Sequence, residues 1–161
     1  MNAGSVDYIL SVKNLHTGFT IGRRIIKAVD GVSLEVKRGK TLGLVGESGC
    51  GKSVTAHSIM QLLPKAGIVS GEVVFRPKDE NEIDLLAYKK TDRRLRAIRG
   101  KKISMIFQDP MSTLNPVYTI GDQIVENILT HEKVPKKEAW ERTRLMLEML
   151  SIPRAGRRFF K

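Results

Sequence analysis

The chain has 161 residues, a net charge of +11 and a single cysteine, Cys50. With 41% hydrophobic and 28% charged residues, the composition is typical of one folded domain, or of one domain and part of another, and argues against a disordered chain. A single thiol forms no internal disulfide, so small disulfide-stapled secreted domains are excluded. No apolar run approaches the roughly 20 residues of a membrane-spanning helix, and residues 1–10 lack a signal-peptide pattern. We expect the chain to stay in the compartment where it is made.

The excess positive charge is concentrated in two short segments. Residues 89–102 contain eight basic residues and one acid, Asp92, and residues 154–161 contain four more bases and no acid. Two interpretations stay open: a solvated helix face with a basic tail, or a surface that contacts phosphate or lipid headgroups.

The first third of the chain predicts strands followed by a glycine-rich loop and a helix. Residues 8–15 and 25–36 carry β-branched side chains in partial alternation, with glycines as punctuation, which predicts an antiparallel N-terminal β layer. Residues 41–45 form an apolar run of the buried-strand type that leads directly into the glycine-rich residues 46–51. Apolar residues at helical spacing over 53–63 predict a helix that ends before Pro64 and Gly67.

The remaining elements become increasingly helical. Residues 72–75 and 102–107 predict strands, and residues 89–99 predict a basic helix that Gly100 ends. Residues 120–131 and 136–151 both show helical spacing. The last of these helices carries a wide apolar face that we expect to pack in a core, formed by Trp140, Met146, Leu147, Met149 and Leu150.

The strongest chemical signal is a full match to the phosphate-loop pattern G-x-x-x-x-G-K-[ST]. The matching residues are Gly46, Glu47, Ser48, Gly49, Cys50, Gly51, Lys52 and Ser53. The three glycines permit backbone angles that other residues avoid, so successive N–H groups can line an anion-sized concavity at a helix N-terminus. Lys52 adds a positive charge between the β- and γ-phosphates, and the Ser53 hydroxyl is placed to ligate Mg²⁺. Cys50 is expected to be a small filler residue, with a reactive thiol as the alternative. The segment predicts a site for a nucleotide and Mg²⁺.

The residues around this loop narrow the choice among nucleotide-binding proteins. Residues 27–36 and 39–49 resemble the ATP-binding-cassette (ABC) transporter family. Residues 105–116, which read MIFQDPMSTLNP, are similar to the Q-loop of the ATP-binding subunits of dipeptide and oligopeptide importers. The resemblance extends from about residue 8 to residue 152. Nickel importers share the pattern, so nickel stays an alternative to peptide as the transported solute.

This resemblance implies an α/β fold: a RecA-like P-loop NTPase core with an N-terminal antiparallel β layer and the start of an α-helical subdomain. We expect the β layer and the core up to the Q-loop over residues 1–116, and the start of the α-helical subdomain over residues 117–161. The family's Walker B aspartate, catalytic glutamate, downstream histidine and Ser-Gly-Gly signature do not follow Gln108, and His131 is expected to be a surface residue. The chain is therefore expected to be an incomplete ABC nucleotide-binding domain, a transport ATPase by resemblance that is inactive alone.

The resemblance also assigns roles to individual residues. Phe19 is expected to stack on adenine, with a packed hairpin residue as the alternative. Lys52 and Gln108 are the expected catalytic residues, and Ser53 and Gln108 the expected Mg²⁺ contacts; the alternative for Gln108 is a polar residue at a strand end. Val54 replaces a hydroxyl residue of many relatives, so only its backbone is expected to contact phosphate.

The expected function is that of an ATP-binding subunit of an importer for dipeptides or oligopeptides, with ATP and Mg²⁺ as cofactors. The expected partners are membrane permease subunits and a second ATP-binding subunit, in a homodimer or heterodimer, without nucleic acid. The alternative to core packing for the apolar face of the last helix is that part of it, with the loop after Gln108, docks on a cytoplasmic helix of the permease. The expected location is peripheral, at the cytoplasmic face of the inner membrane. The alternative function is a noncatalytic nucleotide-binding or interaction module that contacts an anionic surface through residues 89–102.

Overall fold

The computed structural model describes residues 7–78, 80–109 and 114–152. Its strands are β1 (Tyr8–Ile21), β2 (Arg24–Lys37), β3 (Gly67–Phe75) and β4 (Ile83–Asp84). Its helices are α1 (Lys52–Ile59), α2 (Arg93–Ile98), α3 (Ile120–His131) and α4 (Lys136–Met149), and a 3₁₀ turn covers Leu85–Ala87. The chain forms two compact units, Met1–Arg96 and Ala97–Lys161.

The first unit is built on a four-stranded antiparallel sheet with the strand order β2-β1-β3-β4. β1 and β2 form a long hairpin whose pairing runs from Tyr8 and Lys37 to Ile21 and Arg24. β1 also pairs with β3, so its backbone groups find partners on both sides. The predicted N-terminal β layer is confirmed. Its strands are longer than predicted because the hairpin ladder continues through polar residues where the apolar alternation fades.

The core of this unit lies where β1 and β3 meet the 3₁₀ turn. Val12, Leu15, Val73 and Leu85 are almost completely buried. Asp84 starts the turn, and its side chain accepts a hydrogen bond from the Leu86 amide. Val12 and Leu15 are three positions apart on β1, and the register of its pairing with β2 shifts between them, so both are buried despite the odd spacing.

Polar side chains attach α1 to this sheet. The hydroxyls of Thr17 on β1 and Ser58 on α1 are buried and lie 2.7 Å apart. The predicted helix over 53–63 forms, but it ends at Ile59, and its buried residues are Thr55 and Ser58. The helix is therefore shorter than predicted, and within α1 it is the small hydroxyl residues that are buried.

A second set of polar contacts holds the chain beyond α1. The buried Gln61 amide donates to the carbonyls of Leu85 and Tyr88. The Lys90 ammonium lies 3.2 Å from the carbonyl oxygens of Pro64 and Gly67 and 3.5 Å from that of Leu63. These bonds connect the segment after α1 to the segment after β4.

Two predicted strands do not form. Residues 41–45 have no strand assignment and are exposed, with 94% of Val45 accessible to solvent. Residues 102–107 make a single bridge, between Arg99 and Ile103, and Ile106 is 93% exposed. Within the described ranges no strand pairs with either segment, and a strand is stable only when neighbouring strands take its N–H and C=O groups. Both predictions were wrong for this reason.

The second unit contains the α3–α4 helix pair. α3 has the predicted bounds, and its N-cap Thr119 accepts a hydrogen bond from the Asp122 amide at 3.0 Å. α4 starts as predicted and ends at Met149, two residues before the predicted end at residue 151. The predicted basic helix over 89–99 is observed only over Arg93–Ile98.

The expected apolar face of α4 was only partly correct. Leu147 is buried against Ile124, Trp140 and Ile152. Met146, Met149 and Leu150 are exposed, because the buried stripe of α4 consists of Ala139, Thr143 and Leu147 at four-residue spacing.

His131 was expected on the surface, but it is half-buried at the end of α3. A Cβ on Gly100 would lie 2.7 Å from its Nε2 atom, so the imidazole ring packs directly on the Gly100 backbone. The Lys101 ammonium also lies 3.4 Å from the His131 carbonyl oxygen. His131 thus joins α3 to the chain just after α2.

Candidate functional site

The N-terminus of α1 lies against the backbone of β2. Gly51 is the N-cap residue and has a φ of 97°. A Cβ at this position would lie 2.5 Å from the Ala28 carbonyl oxygen, so both the backbone angle and the close approach require glycine. Gly51 therefore fixes the start of α1 beside the sheet.

The first N–H groups of α1 are available to a ligand. The Thr55 amide donates to the Gly51 carbonyl at 2.8 Å and closes the first turn. By helix geometry, the amides of Lys52, Ser53 and Val54 have no carbonyl one turn earlier. No side chain caps this end, and the first turn has no acidic residue. The positive end of the helix dipole is consequently open to an anion.

Lys52 folds back over the loop that precedes α1. Its ammonium donates to the carbonyl oxygens of Gly46 at 2.6 Å and Glu47 at 2.5 Å, and it lies 3.4 Å from the Cys50 sulfur. The ammonium therefore closes the ring formed by residues 46–52 at the helix N-terminus.

The loop glycines differ in what they do. Gly49 and Gly51 adopt positive φ values, as the motif predicts. Gly46 does not, so the expectation of a special backbone angle at Gly46 was wrong. There a Cβ would lie 2.7 Å from the Cys50 Sγ atom, so a side chain at position 46 would require the exposed Cys50 thiol to rotate away.

The other predicted loop residues are brought together around this ring. Glu47, Ser48, Cys50 and Ser53 are exposed, and Cys50 is a free thiol. The Ser53 hydroxyl has no hydrogen-bond partner in the part of the chain that the structure describes. Ser53 and Val54 are held through their carbonyl oxygens, which lie 2.6 Å from His57 Nδ1 and Ser58 Oγ respectively.

The structure places the two more distant candidates differently. Phe19 is half-buried on β1, where it pairs with Ile26 of β2 and Gly67 of β3. It lies two residues from Thr17 and therefore on the same face of β1, the face that contacts α1 through Ser58. Gln108 is exposed and belongs to the second unit. Residues 110–113 of the predicted Q-loop lie outside the described residues.

Sequence reasoning missed the residues that hold α1 in place. Thr17 and Ser58 are 41 positions apart, and their hydroxyls meet only once the sheet and helix pack. The one available signal was the spacing of hydroxyl residues at positions 55 and 58, which marks a helix face but names no partner.

An exposed charge cluster lies on the same hairpin. The Lys27 ammonium, 3.2 Å from Asp30 Oδ2, and the His16 ring, 2.9 Å from Asp30 Oδ1, hold the pKa of the Asp30 carboxyl below its usual value. Lys27 is the larger cause of this shift. Asp30 is therefore a fixed negative charge two residues beyond Ala28.

The sequence profile of the ABC transporter family matches residues 29–160. This chain belongs to the ABC transporter family. It is 46% identical over 155 residues to the dipeptide transport ATP-binding protein DppD of Bacillus subtilis (strain 168), covering 95% of this chain and 44% of that protein. It is 42% identical over 147 residues to the glutathione import ATP-binding protein GsiA of Salmonella choleraesuis (strain SC-B67), covering 90% of this chain and 23% of that protein. The chain thus spans less than half the length of these relatives.

Solved structures support the fold of this ABC family member. The ATP-binding cassette MJ0796, in a dimeric post-hydrolysis state bound to ADP and Pi, matches with a TM-score of 0.70 at 26% identity, over 90% of this chain and 58% of that one. CbiO1 from Clostridium perfringens matches with a TM-score of 0.56 at 26% identity, over 91% of this chain and 52% of that one. The predicted P-loop NTPase fold class is confirmed. In the described part of the chain, no helix combines the length and the apolar content that a bilayer crossing needs.

Proposed function

We propose that this chain is the nucleotide-binding part of the ATP-binding subunit of a peptide importer. In this proposal residues 46–53 bind Mg-ATP, and ATP hydrolysis by a complete subunit drives peptide through a membrane permease. The observation that carries it is the open N-terminus of α1, with three free amides and the Lys52 ammonium on one loop. The names of the relatives, which describe dipeptide and glutathione transport, favour peptide over nickel.

The loop chemistry suits a polyphosphate. Lys52 donates to two neutral carbonyls, and a negatively charged phosphate oxygen attracts an ammonium more strongly than a neutral carbonyl oxygen does. A triphosphate therefore displaces Lys52 from the Gly46 and Glu47 carbonyls and also takes up the free amides of α1. The Ser53 hydroxyl fits Mg²⁺, which prefers oxygen ligands.

The remaining site residues complete the proposal. Phe19, on the α1-facing side of β1, stacks on adenine. Gln108 serves as the Q-loop glutamine that reaches Mg²⁺ and the attacking water. Cys50 and Val54 contribute backbone contacts to phosphate.

The proposal assigns ATP binding to this chain but ATP hydrolysis only to a complete subunit. Without Walker B, catalytic-glutamate and signature motifs after Gln108, the 161 residues alone lack the groups that position the attacking water and stabilise the transferring phosphoryl group. We expect phosphate release from this chain to equal that of its Lys52→Ala variant. Lys52-dependent release above that level would overturn this part.

The proposed partners are the permease subunits and a second ATP-binding subunit, which would place the protein peripherally at the cytoplasmic face of the membrane. The dimeric structure of the MJ0796 cassette supports a second ATP-binding subunit. Cross-linking from Asp109 to permease subunits in the assembled transporter tests this arrangement, and an assembly that gives no such cross-link contradicts it.

The central experiment measures binding of a fluorescent ATP analogue with Mg²⁺ to Lys52→Ala and to the matched control Lys40→Ala. Lys40 is an exposed lysine shortly before the loop. Loss of charge-assisted hydrogen bonds predicts at least a tenfold weaker affinity for Lys52→Ala and no change for Lys40→Ala. Equal affinities of the two variants for the ATP analogue would contradict the proposed function.

Two further variants examine the more distant residues. Phe19→Ala is expected to weaken ATP about tenfold while leaving inorganic triphosphate unchanged, because only the nucleotide has a base to stack. Gln108→Ala is expected to leave ATP affinity unchanged and to lower hydrolysis in a complete subunit. An equal loss for both ligands in Phe19→Ala contradicts the stacking role.

A further inference from the structure

Residues 89–102 contain eight bases, and the structure separates them into two groups. Five are engaged within the fold: Lys90, Arg94, Arg99, Lys101 and Lys102. Lys90 binds the carbonyls after α1, and Lys101 lies near the His131 carbonyl. Arg94 pairs with Asp92 at 2.9 Å and covers the Tyr88 ring, with its guanidinium carbon 4.4 Å from the ring centroid. Asp92, the one acid of this segment, is thereby neutralised.

The other three bases are Lys89, Arg93 and Arg96. All are exposed, and none of their side chains has a hydrogen-bond or ion-pair partner in the described part of the chain. Arg93 and Arg96 are three residues apart on α2, and the opposite side of that helix buries Leu95 and Ile98. The three side chains therefore form a basic surface on a short, anchored segment whose one acid, Asp92, is paired with Arg94.

We propose that Lys89, Arg93 and Arg96 form a contact surface for the headgroups of anionic phospholipids. Each basic side chain near an anionic bilayer contributes a similar increment to binding, so a compact group of three uncompensated bases suits a lipid surface. Single-stranded nucleic acid is disfavoured because it also requires an aromatic stacking platform, and Arg94 already covers Tyr88.

This inference rests on the proposed function, because docking on a permease would bring the subunit to the membrane. It extends that function by adding a direct contact between the protein and lipid. ATP takes no part in the contact, so lipid binding and nucleotide binding can fail independently.

The experiment measures cosedimentation of the full 161-residue chain with vesicles of phosphatidylcholine alone and vesicles that also contain phosphatidylglycerol. The test variant combines Lys89→Gln, Arg93→Gln and Arg96→Gln. The matched control combines Lys133→Gln, Lys136→Gln and Lys137→Gln, which removes the same charge from exposed lysines at the start of α4 and in the loop just before it. Circular dichroism verifies that both variants fold, and binding of the fluorescent ATP analogue is recorded on each preparation.

We expect the parent chain and the control to prefer the phosphatidylglycerol vesicles, and this preference to weaken with added salt. The test variant is expected to bind them roughly 100-fold more weakly, at about fivefold for each base removed. An equal loss in both variants, or no preference for phosphatidylglycerol, overturns the proposal. Displacement of the protein from the vesicles by single-stranded DNA at a lower phosphate concentration than that of the lipid also overturns it, in favour of nucleic acid.

The ATP measurement separates the two proposals. Intact ATP binding without vesicle binding overturns the lipid surface and leaves the proposed nucleotide function standing. Vesicle binding that is lost in the test variant, on a protein that does not bind ATP, supports the lipid surface and overturns the nucleotide function.

Discussion

The β layer and residues 41–45 have similar apolar side chains, but the β layer is paired and buried whereas residues 41–45 are unpaired and exposed. Leu15, on β1, is completely buried because β1 pairs on one side with β2 and on the other with β3. Leu44 lies in an apolar run of comparable character, yet it is 49% exposed, and no described strand pairs with that run. The difference teaches that an apolar pattern makes a strand possible, and that a hydrogen-bonding neighbour makes it form.

Matched leucine substitutions test this comparison most directly. Leu15→Ala removes a buried side chain and leaves a cavity, so the free energy of unfolding should fall by about 3 kcal/mol. Leu44→Ala removes a half-exposed side chain, with an expected loss of less than about 1 kcal/mol. Urea denaturation of both variants measures the two losses. Similar values would mean that residues 41–45 pack as well as β1, contrary to the structure.

Two glycine substitutions test whether the chain packs against β2 at Gly51 but not at Gly43. Gly51→Ala places a Cβ against the Ala28 carbonyl at a positive φ, so we expect a loss of about 2 kcal/mol in unfolding free energy. Gly43→Ala meets no atom within 4 Å, and its expected effect is within about 0.5 kcal/mol. Thermal unfolding of the two variants measures the difference. If Gly51→Ala is as stable as Gly43→Ala, α1 does not start against β2 as described.

A double-mutant cycle measures how strongly α1 belongs to the sheet. The buried hydroxyls of Thr17 and Ser58 predict a coupling energy of about 1 kcal/mol between Thr17→Val and Ser58→Ala. The two single losses are expected to sum to about 1 kcal/mol more than the loss in the double variant, because either substitution alone breaks the same hydroxyl contact. Additive effects within error would show that the hydroxyl contact does not hold α1.

The smallest effect is expected in α4, which is stabilised at its surface without a sheet. Hydrogen bonding to Arg144 lowers the pKa of the Glu141 carboxyl. A carboxyl with a lowered pKa in the folded state stabilises the protein above its unfolded-state pKa, and this contribution is lost as the pH falls through the folded-state pKa. Glu141→Gln should therefore flatten the acid limb of the stability–pH curve.

Glu126→Gln is the matched control for this titration, because Glu126 makes no ion pair with a described basic residue. It should leave the acid limb unchanged. If Glu126→Gln flattened the acid limb equally, the acid sensitivity would come from net charge and not from the contact between Glu141 and Arg144. Stability measured by urea denaturation between pH 3 and pH 7, a range set by ordinary carboxyl pKa values, gives the comparison.

Much of the fold could be predicted because its elements are locally specified. The α3 bounds follow from a Thr119 cap and a regular apolar spacing, and the β1–β2 hairpin follows from two alternating segments around glycines. The failures were of another kind. Strands at 41–45 and 102–107 depend on partners that the pattern does not name, and the burial of Thr55 and Ser58 depends on a contact with a distant strand.

The loop was predictable because its chemistry resides in the backbone and in one motif. Positive φ values at Gly49 and Gly51 and the open α1 N-terminus follow directly from the glycine spacing. The steric role of Gly46 was not predictable, since it depends on where the Cys50 side chain lies. The bond from Lys52 to its own loop was missed for the same reason, because a motif names residue types and not their contacts.

That bond has a consequence for selectivity. The Lys52 ammonium already donates to two carbonyl oxygens, so in the proposed site a nucleotide must replace these two bonds in order to bind. A monophosphate has few oxygens with which to replace these bonds, while a longer polyphosphate chain reaches both the ammonium and the helix amides. The ratio of the affinities for ATP and AMP is then expected to be smaller in Lys52→Ala than in the parent chain. Lys52 would in that case set the preference for a longer phosphate chain.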